Sequence, residues 1–228
     1  MPKIKSCFVP EKYIKKNYTK VFKIKEKKIL SLVDLYQKEI NLLGNLNEKT
    51  KLVPTKTEKP KIKIPDNYFI IFPSASIELK RWPTDNFRKI AKKIYDAYKI
   101  PLLVCGTKVD EEKVKELINS LNIEVYNYLN KTNLNDYFEL IKKAKFVITN
   151  DTSAYHLAVV NQTPVIITTG CYNYDRYITY DFEEKNKYRR PYIASVPIEC
   201  KNCNDNCRYI KNNDTIYKCL KAVTVKQV

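Results

Sequence analysis

Phe146-Val147-Ile148-Thr149-Asn150-Asp151-Thr152-Ser153-Ala154-Tyr155-His156-Leu157-Ala158-Val159-Val160 is the stretch on which the fold turns. Its first four residues are apolar or β-branched and too few for a helix, so they predict a strand over Phe146–Thr149. A small polar run follows. Ser153–Val160 then has the composition of a buried helix, and Val165–Thr169 is again β-branched and predicts a second strand. Two strands joined by a helix make a parallel crossover unit.

The same alternation runs back to Tyr68. Tyr68–Phe72 predicts a strand. Thr84 or Asp85 caps a helix whose apolar face is Phe87, Ile90, Ala91, Ile94 and Tyr98. Pro101–Cys105 is a strand ending at Gly106, and Asp110–Leu121 a helix with Val114, Leu117, Ile118 and Leu121 inward. Glu124–Tyr126 is a short strand, and Thr132 caps a helix carrying Leu134, Tyr137, Phe138 and Ile141. Five strands with intervening helices imply an α/β protein, a parallel sheet with helices on both faces. Ligands in such folds bind beyond the carboxyl ends of the strands. Polar residues just after Phe72, Cys105, Thr149 and Thr169 are therefore the ones to weigh.

Composition narrows the chemistry. The chain has 228 residues and only three glycines, Gly44, Gly106 and Gly170, so no glycine-rich nucleotide loop can be written. No apolar run reaches the ~18 residues of a membrane helix. The start, Met1-Pro2-Lys3-Ile4-Lys5, lacks the apolar stretch of a secretory signal, and a cytoplasmic protein is expected. The formal charge is +17. Residues 1–65 hold 17 lysines against six acids, so most of the excess lies at the front. Residues 1–66 read as a basic segment with one helix over Lys27–Leu43, stopped by Gly44, and a Pro-Lys linker; residues 67–228 read as the α/β domain. A basic chain suits phosphorylated ligands, an anionic membrane surface or nucleic acid, or simply carries a solvated lysine face. Six arginines against 36 lysines argue against base reading, and no nucleic-acid partner is expected.

Seven cysteines are present, the last four as C-x2-C-x3-C-x11-C at Cys200, Cys203, Cys207 and Cys219. Four thiolates could hold zinc, but the second C-x2-C knuckle of a zinc ribbon is absent. Local disulfide pairing and reduced thiols packed in a C-terminal cap are the other readings. Cys105 belongs to a strand core.

Three polar groups stand at strand ends. Ser74, Ser76, Lys80 and Arg81 precede a helix, where hydroxyls and cations could meet a phosphate or simply be solvated beside a packed Trp82. Asp151, Thr152 and Ser153 open a helix whose free N–H groups favour an anion, or only cap it; His156 lies one turn in. Asp110, Glu111 and Glu112 open another helix, where acids suit the dipole or could accept from ribose hydroxyls.

The run P-S-A-S-x3-K-R-W-P from Pro73, Gly106-Thr107 with acids shortly after, and N-D-T-S-x2-H-L-A from Asn150, taken in this order, resemble glycosyltransferase family 9. That family contains the heptosyltransferases of lipopolysaccharide core synthesis. The resemblance covers about residues 68–225. It implies a GT-B fold of two Rossmann-like domains, with this sheet as the C-terminal, nucleotide-sugar-binding half. It also implies an inverting, metal-independent transfer from a donor such as ADP-heptose to a lipopolysaccharide or other glycan or lipid-linked acceptor, with no cofactor, at the inner face of the membrane. Matched by motif, Lys80 stabilises the leaving diphosphate and Asp151, Thr152 and Ser153 offer amides to it. His156 and Ser76 lie beside it, Glu111 (or its neighbour Glu112) takes the ribose, and Thr132 is near the adenine. Ser153 stands where the family usually has glycine, and Cys171-Tyr172-Asn173 replaces its usual segment after the last strand. No general base is found, because the 65 residues in front do not read as a first domain. The chain is thus expected to be incomplete by itself; the other reading is a truncated, non-catalytic nucleotide-sugar-binding or interaction module.

Overall fold

The computed structural model describes Pro54 and residues 56–228, apart from 120 and 181–188. The helix expected over Lys27–Leu43 and Cys7 lie outside the described residues. The elements run β1 (Phe69–Phe72), α1 (Thr84–Tyr98), β2 (Leu102–Gly106), α2 (Glu111–Ile118), β3 (Val125–Leu129), α3 (Leu134–Lys143), β4 (Val147–Thr149), α4 (Ser153–Val160), β5 (Val165–Thr168), β6 (Tyr192–Ala194) and α5 (Lys218–Lys221). The strands form one sheet in the order β3-β2-β1-β4-β5-β6, with every neighbouring pair parallel. The chain moves outward from β1 to β3, returns to the other side of β1, and moves outward again. The expected parallel sheet is therefore present, and its order reverses between β1 and β4.

The period of two along a strand sends alternate side chains to opposite faces. Phe69 and Ile71 of β1 pack with Phe87, Ile90, Val114 and Leu117 of α1 and α2 on one face. Ile70 and Phe72 pack with Leu140 and Ile141 of α3 and Ala154, Tyr155 and Ala158 of α4 on the other. Because both faces are covered, the central strands are apolar without alternation. The C-terminal tail completes the first face. Tyr217, Leu220 and Val223 are buried there, and the Trp82 indole Nε1 donates to the Val223 carbonyl at 2.9 Å.

Several expectations shift. The third strand is longer and later than Glu124–Tyr126, because its backbone follows β2 in register from Leu102↔Val125 to Gly106↔Leu129. Thr132 is not the cap of α3. Asn133 is: its side chain accepts from the Asp136 amide at 2.9 Å, and Asp136 reaches back to the Asn133 amide. That offset turns Leu134 outward, where it is 67% exposed, not inward. Neither Thr84 nor Asp85 makes a side-chain cap on α1, which begins after Pro83. α2 begins at Glu111 because Lys108–Asp110 form a preceding 3-10 turn. A sixth strand, β6, escaped the sequence because only three residues carry it. Residues 57–63, expected in the linker, lie along α3: Lys61 N donates to Asp136 and Glu58 N to Asn135, both at 2.7 Å.

Candidate functional site

The sheet's reversal opens a crevice at the carboxyl ends of β1, β2 and β4, and a cleft of about 860 Å³ occupies it. That volume is within the range of small-molecule sites. Asn150, fully buried at the end of β4, holds the strand ends together. Its Oδ1 accepts from Trp82 N at 2.9 Å and Thr168 Oγ1 at 3.1 Å, and its Nδ2 donates to the Pro73 carbonyl at 2.8 Å. One amide thereby fixes the loop after β1 against β4 and β5.

One wall is the start of α4. Asp151, Thr152 and Ser153 all line the cleft. Thr152 is the N-terminal cap, but its side chain makes no capping bond; Thr149 Oγ1 and Thr152 Oγ1 are paired at 2.9 Å instead. The Tyr155 amide donates to the Thr152 carbonyl at 3.1 Å, so the amides the absent side-chain cap leaves over are those of Ser153 and Ala154. The opposite wall is the loop after β1, where Ser74, Ser76 and Arg81 line the cleft. Ser74 Oγ is buried and has no hydrogen-bond partner among the described residues.

Lys80 and Asp151 do converge. The ammonium is 3.9 Å from Asp151 Oδ2, and 3.0 Å from Asp205 Oδ2. It also stands 4.5 Å over the Tyr172 ring. Lys80 is 8% exposed and lies behind the cleft rather than in its lining. Burial raises the Asp151 carboxyl above its ordinary range, against the opposing attraction of Lys80 and His156. His156 is also off the cleft lining; its Nδ1 is 2.6 Å from the Tyr180 hydroxyl, and burial holds the imidazole below its usual value despite Asp151. Burial keeps the Tyr180 phenol protonated, pushed up to about 12.

The third side belongs to the β2 end. Glu111, expected at the ribose, is outside the lining and bonded to Lys115 at 2.6 Å, whereas Asp110 is inside it. Thr107 N donates to Asp110 Oδ2 at 2.8 Å, closing a capping box. Gly106 permits this, having φ +150°; a Cβ there would sit 2.8 Å from Asp110 Oδ2. The Thr107-x-x-Asp110 spacing is a capping-box signature that points to Asp110 from sequence alone. Thr132 lines the cleft, with Leu134 and Tyr137 of α3 beside it. The Tyr137 ring packs edge-on against Phe72 at 5.5 Å, and its hydroxyl lies 3.4 Å from Ser153 Oγ. Tyr137 read as a core residue, and no sequence signal separates the two roles.

The cysteine tail forms no metal centre in the described residues: no three His, Cys, Asp or Glu side chains are grouped to hold an ion. The six described cysteines are free thiols. Cys171 and Cys219 are buried in the first core, with Cys203 and Cys207 packed against it.

A parallel sheet with the β3-β2-β1-β4-β5-β6 order and a cleft at its reversal defines a Rossmann-like α/β domain. The family model for glycosyltransferase family 9 (heptosyltransferase) matches residues 12–177, and the chain belongs to that family. Lipooligosaccharide heptosyltransferase 2 of Haemophilus influenzae is 33% identical over 96 residues, covering 40% of this chain and 27% of that protein. This chain therefore matches about a quarter of the length of that curated relative. A family 9 glycosyltransferase structure from Veillonella parvula superposes with a TM-score of 0.69 at 16% identity, over 92% of this chain and 61% of that one. An E. coli heptosyltransferase, described with ADP-2-deoxy-2-fluoro heptose, superposes with a TM-score of 0.53 at 18% identity, over 82% and 57%.

Proposed function

We propose that this chain binds a nucleoside-diphosphate sugar, ADP-heptose in the first instance, in the switch-point cleft. It would take part in transferring the sugar to a lipopolysaccharide or other glycan acceptor. The observation that carries this is the opening of α4, through Asp151, Thr152 and Ser153, into a cleft at the reversal of the strand order. Family membership supplies the reaction class. In this reading the diphosphate lies at the start of α4, between its amides and the hydroxyls of Ser74 and Ser76. Lys80 adds positive charge behind Asp151, and His156 steadies the first turn. The ribose meets a carboxylate at the start of α2, where Asp110 lines the cleft and Glu111 is next to it. Thr132, Leu134 and Tyr137 form the base end.

The chemistry is an inverting displacement. An acceptor hydroxyl oxygen attacks the anomeric carbon, and the bond from that carbon to the diphosphate oxygen breaks. The hydroxyl proton passes to a base, a role not assigned among these residues. Charge developing on the diphosphate is met by amides and cations in place of a divalent metal. Among the described residues no helix is long and apolar enough to cross a membrane. Independently of that, the reading has the protein act in the cytoplasm and meet a lipid-linked acceptor at the inner membrane face through its basic charge.

Calorimetry of the full chain with ADP tests this, followed by a transfer assay with ADP-heptose and a lipopolysaccharide core acceptor. Saturable ADP binding is expected. A chain that binds no nucleoside diphosphate refutes the proposal.

A further inference from the structure

We infer that Asp205 is an internal anion that holds Lys80 back from the cleft, that a bound diphosphate takes the ammonium from it, and that Asp205 thereby sets the affinity for the donor. The inference rests on the reading that the cleft receives a diphosphate. Asp205 belongs to the cysteine-bearing loop, 125 residues after Lys80. Its Oδ2 accepts from the Lys80 ammonium at 3.0 Å, the one hydrogen bond that ammonium makes among the described residues. Asp151 Oδ2, at 3.9 Å, is beyond hydrogen-bond reach. An ammonium carries three donors, so two remain for an oxyanion. Asp151 lines the cleft, which puts the ammonium one side chain away from the expected diphosphate. Its four-carbon stem allows it to turn there.

The contact with Asp205 is only half satisfied. Asn173 Nδ2 donates to the same Asp205 oxygen that Lys80 holds, at 3.1 Å. The other oxygen, Oδ1, is buried without a partner among the described residues, and so is Asn173 Oδ1. A buried acceptor left unpaired costs free energy, which weakens the hold on the lysine. The Asp205 side chain is 33% exposed, so water can reach the carboxylate once the ammonium leaves.

The loop does not need that carboxylate for its shape. Asn202 N donates to the Cys171 carbonyl at 2.7 Å and Asn204 N to the Tyr172 carbonyl at 2.9 Å. Cys203 and Cys207 pack against the first core. Asn202, Asn204 and Asp205 have left-handed backbone, φ 63°, 53° and 63°, which Asn and Asp adopt more readily than other side chains. Main-chain bonds thus present Asp205 to Lys80, and its side chain is left to act as a charge. An ammonium shared between two carboxylates attracts a diphosphate less than one that faces Asp151 alone.

Calorimetric titration of the full chain with ADP and with adenosine tests the assignment. Asp205→Asn keeps the size and the left-handed backbone and removes the charge. Asp205→Gly removes the side chain at a φ that suits glycine. Both variants are expected to bind ADP about three- to tenfold more tightly than the wild type, with adenosine unchanged. That is the gain when a binding-competent lysine rises from roughly a tenth or a third of the molecules to nearly all. Glu199→Gln makes the same charge change on the same loop, at a residue paired with Arg208, and should leave ADP affinity as it is. In a Lys80→Met background, Asp205→Asn should bring no gain. Asp205 variants that bind ADP no more tightly than the wild type overturn the inference. So does a gain that adenosine or Glu199→Gln matches, or one that persists without Lys80. Wild type and variants that all bind no ADP refute the nucleotide reading instead.

Discussion

At the scale of the residue, titration behaviour follows from burial. His156 is held below its ordinary value of 6.5 by desolvation, so the folded state prefers the neutral ring. The unfolded chain then takes up its proton first as pH falls, and the stability contribution is full above about 6.5 and lost below it. Asp151 has the opposite sign: its folded value is raised, so acidification through that value restores stability. Thermal melts between pH 7 and 5 should show stability falling on acidification, with His156→Gln flattening the slope. An unchanged slope would assign the dependence to other groups. Ser76, Asp151, Thr152 and Ser153 were legible as strand-end polar groups and Thr132 through the family resemblance, and all line the cleft. The difference between Lys80 and Arg81 was not. Adjacent cations look alike in sequence; the carboxylate of Asp205, 125 residues away, holds Lys80 within the protein, while Arg81 is in the cleft lining.

At the scale of the element, strand and helix positions followed from apolar runs and periodicity, and α4 occupies the predicted Ser153–Val160. Ends were less legible, because caps depend on which neighbour is within reach. Asn133 displaced Thr132 as the cap of α3 by bonding Asp136, and Leu134 was turned outward. The joint between elements is Asn150. Replacing it with Ala leaves the Trp82 amide and the Pro73 carbonyl buried without their partner. Each such group costs about 1–3 kcal/mol. Asn150→Ala should therefore lower the urea midpoint clearly, whereas the exposed Asn135→Ala contact at Glu58 should lower it less. Equal midpoints for wild type and Asn150→Ala would remove Asn150 from this role.

At the scale of the whole molecule, the tail is part of the core. Tyr217 N donates to the Leu79 carbonyl at 3.0 Å, and the Trp82 indole donates to Val223. Tyr217, Leu220 and Val223 each contribute about 1.5–3 kcal/mol by burial. Together these approach the whole stability of an ordinary domain, about 5–15 kcal/mol. Ending the chain at Ile216 should abolish a cooperative melt or lower its midpoint by more than 10 °C, a shift of the order expected from a few kcal/mol. A truncated chain that melts like the full one would show the tail to be dispensable.

The residues by themselves determined the layered α/β class, the strand ends at which chemistry would gather, and the family. Those depend on local periodicity and on motifs read in order. Only the tertiary structure decided which of the clustered charges are available to a ligand. That depends on desolvation and on partners distant in the chain: Asp205 and Tyr172 enclose Lys80, and Thr107 ties Asp110 into the cleft wall.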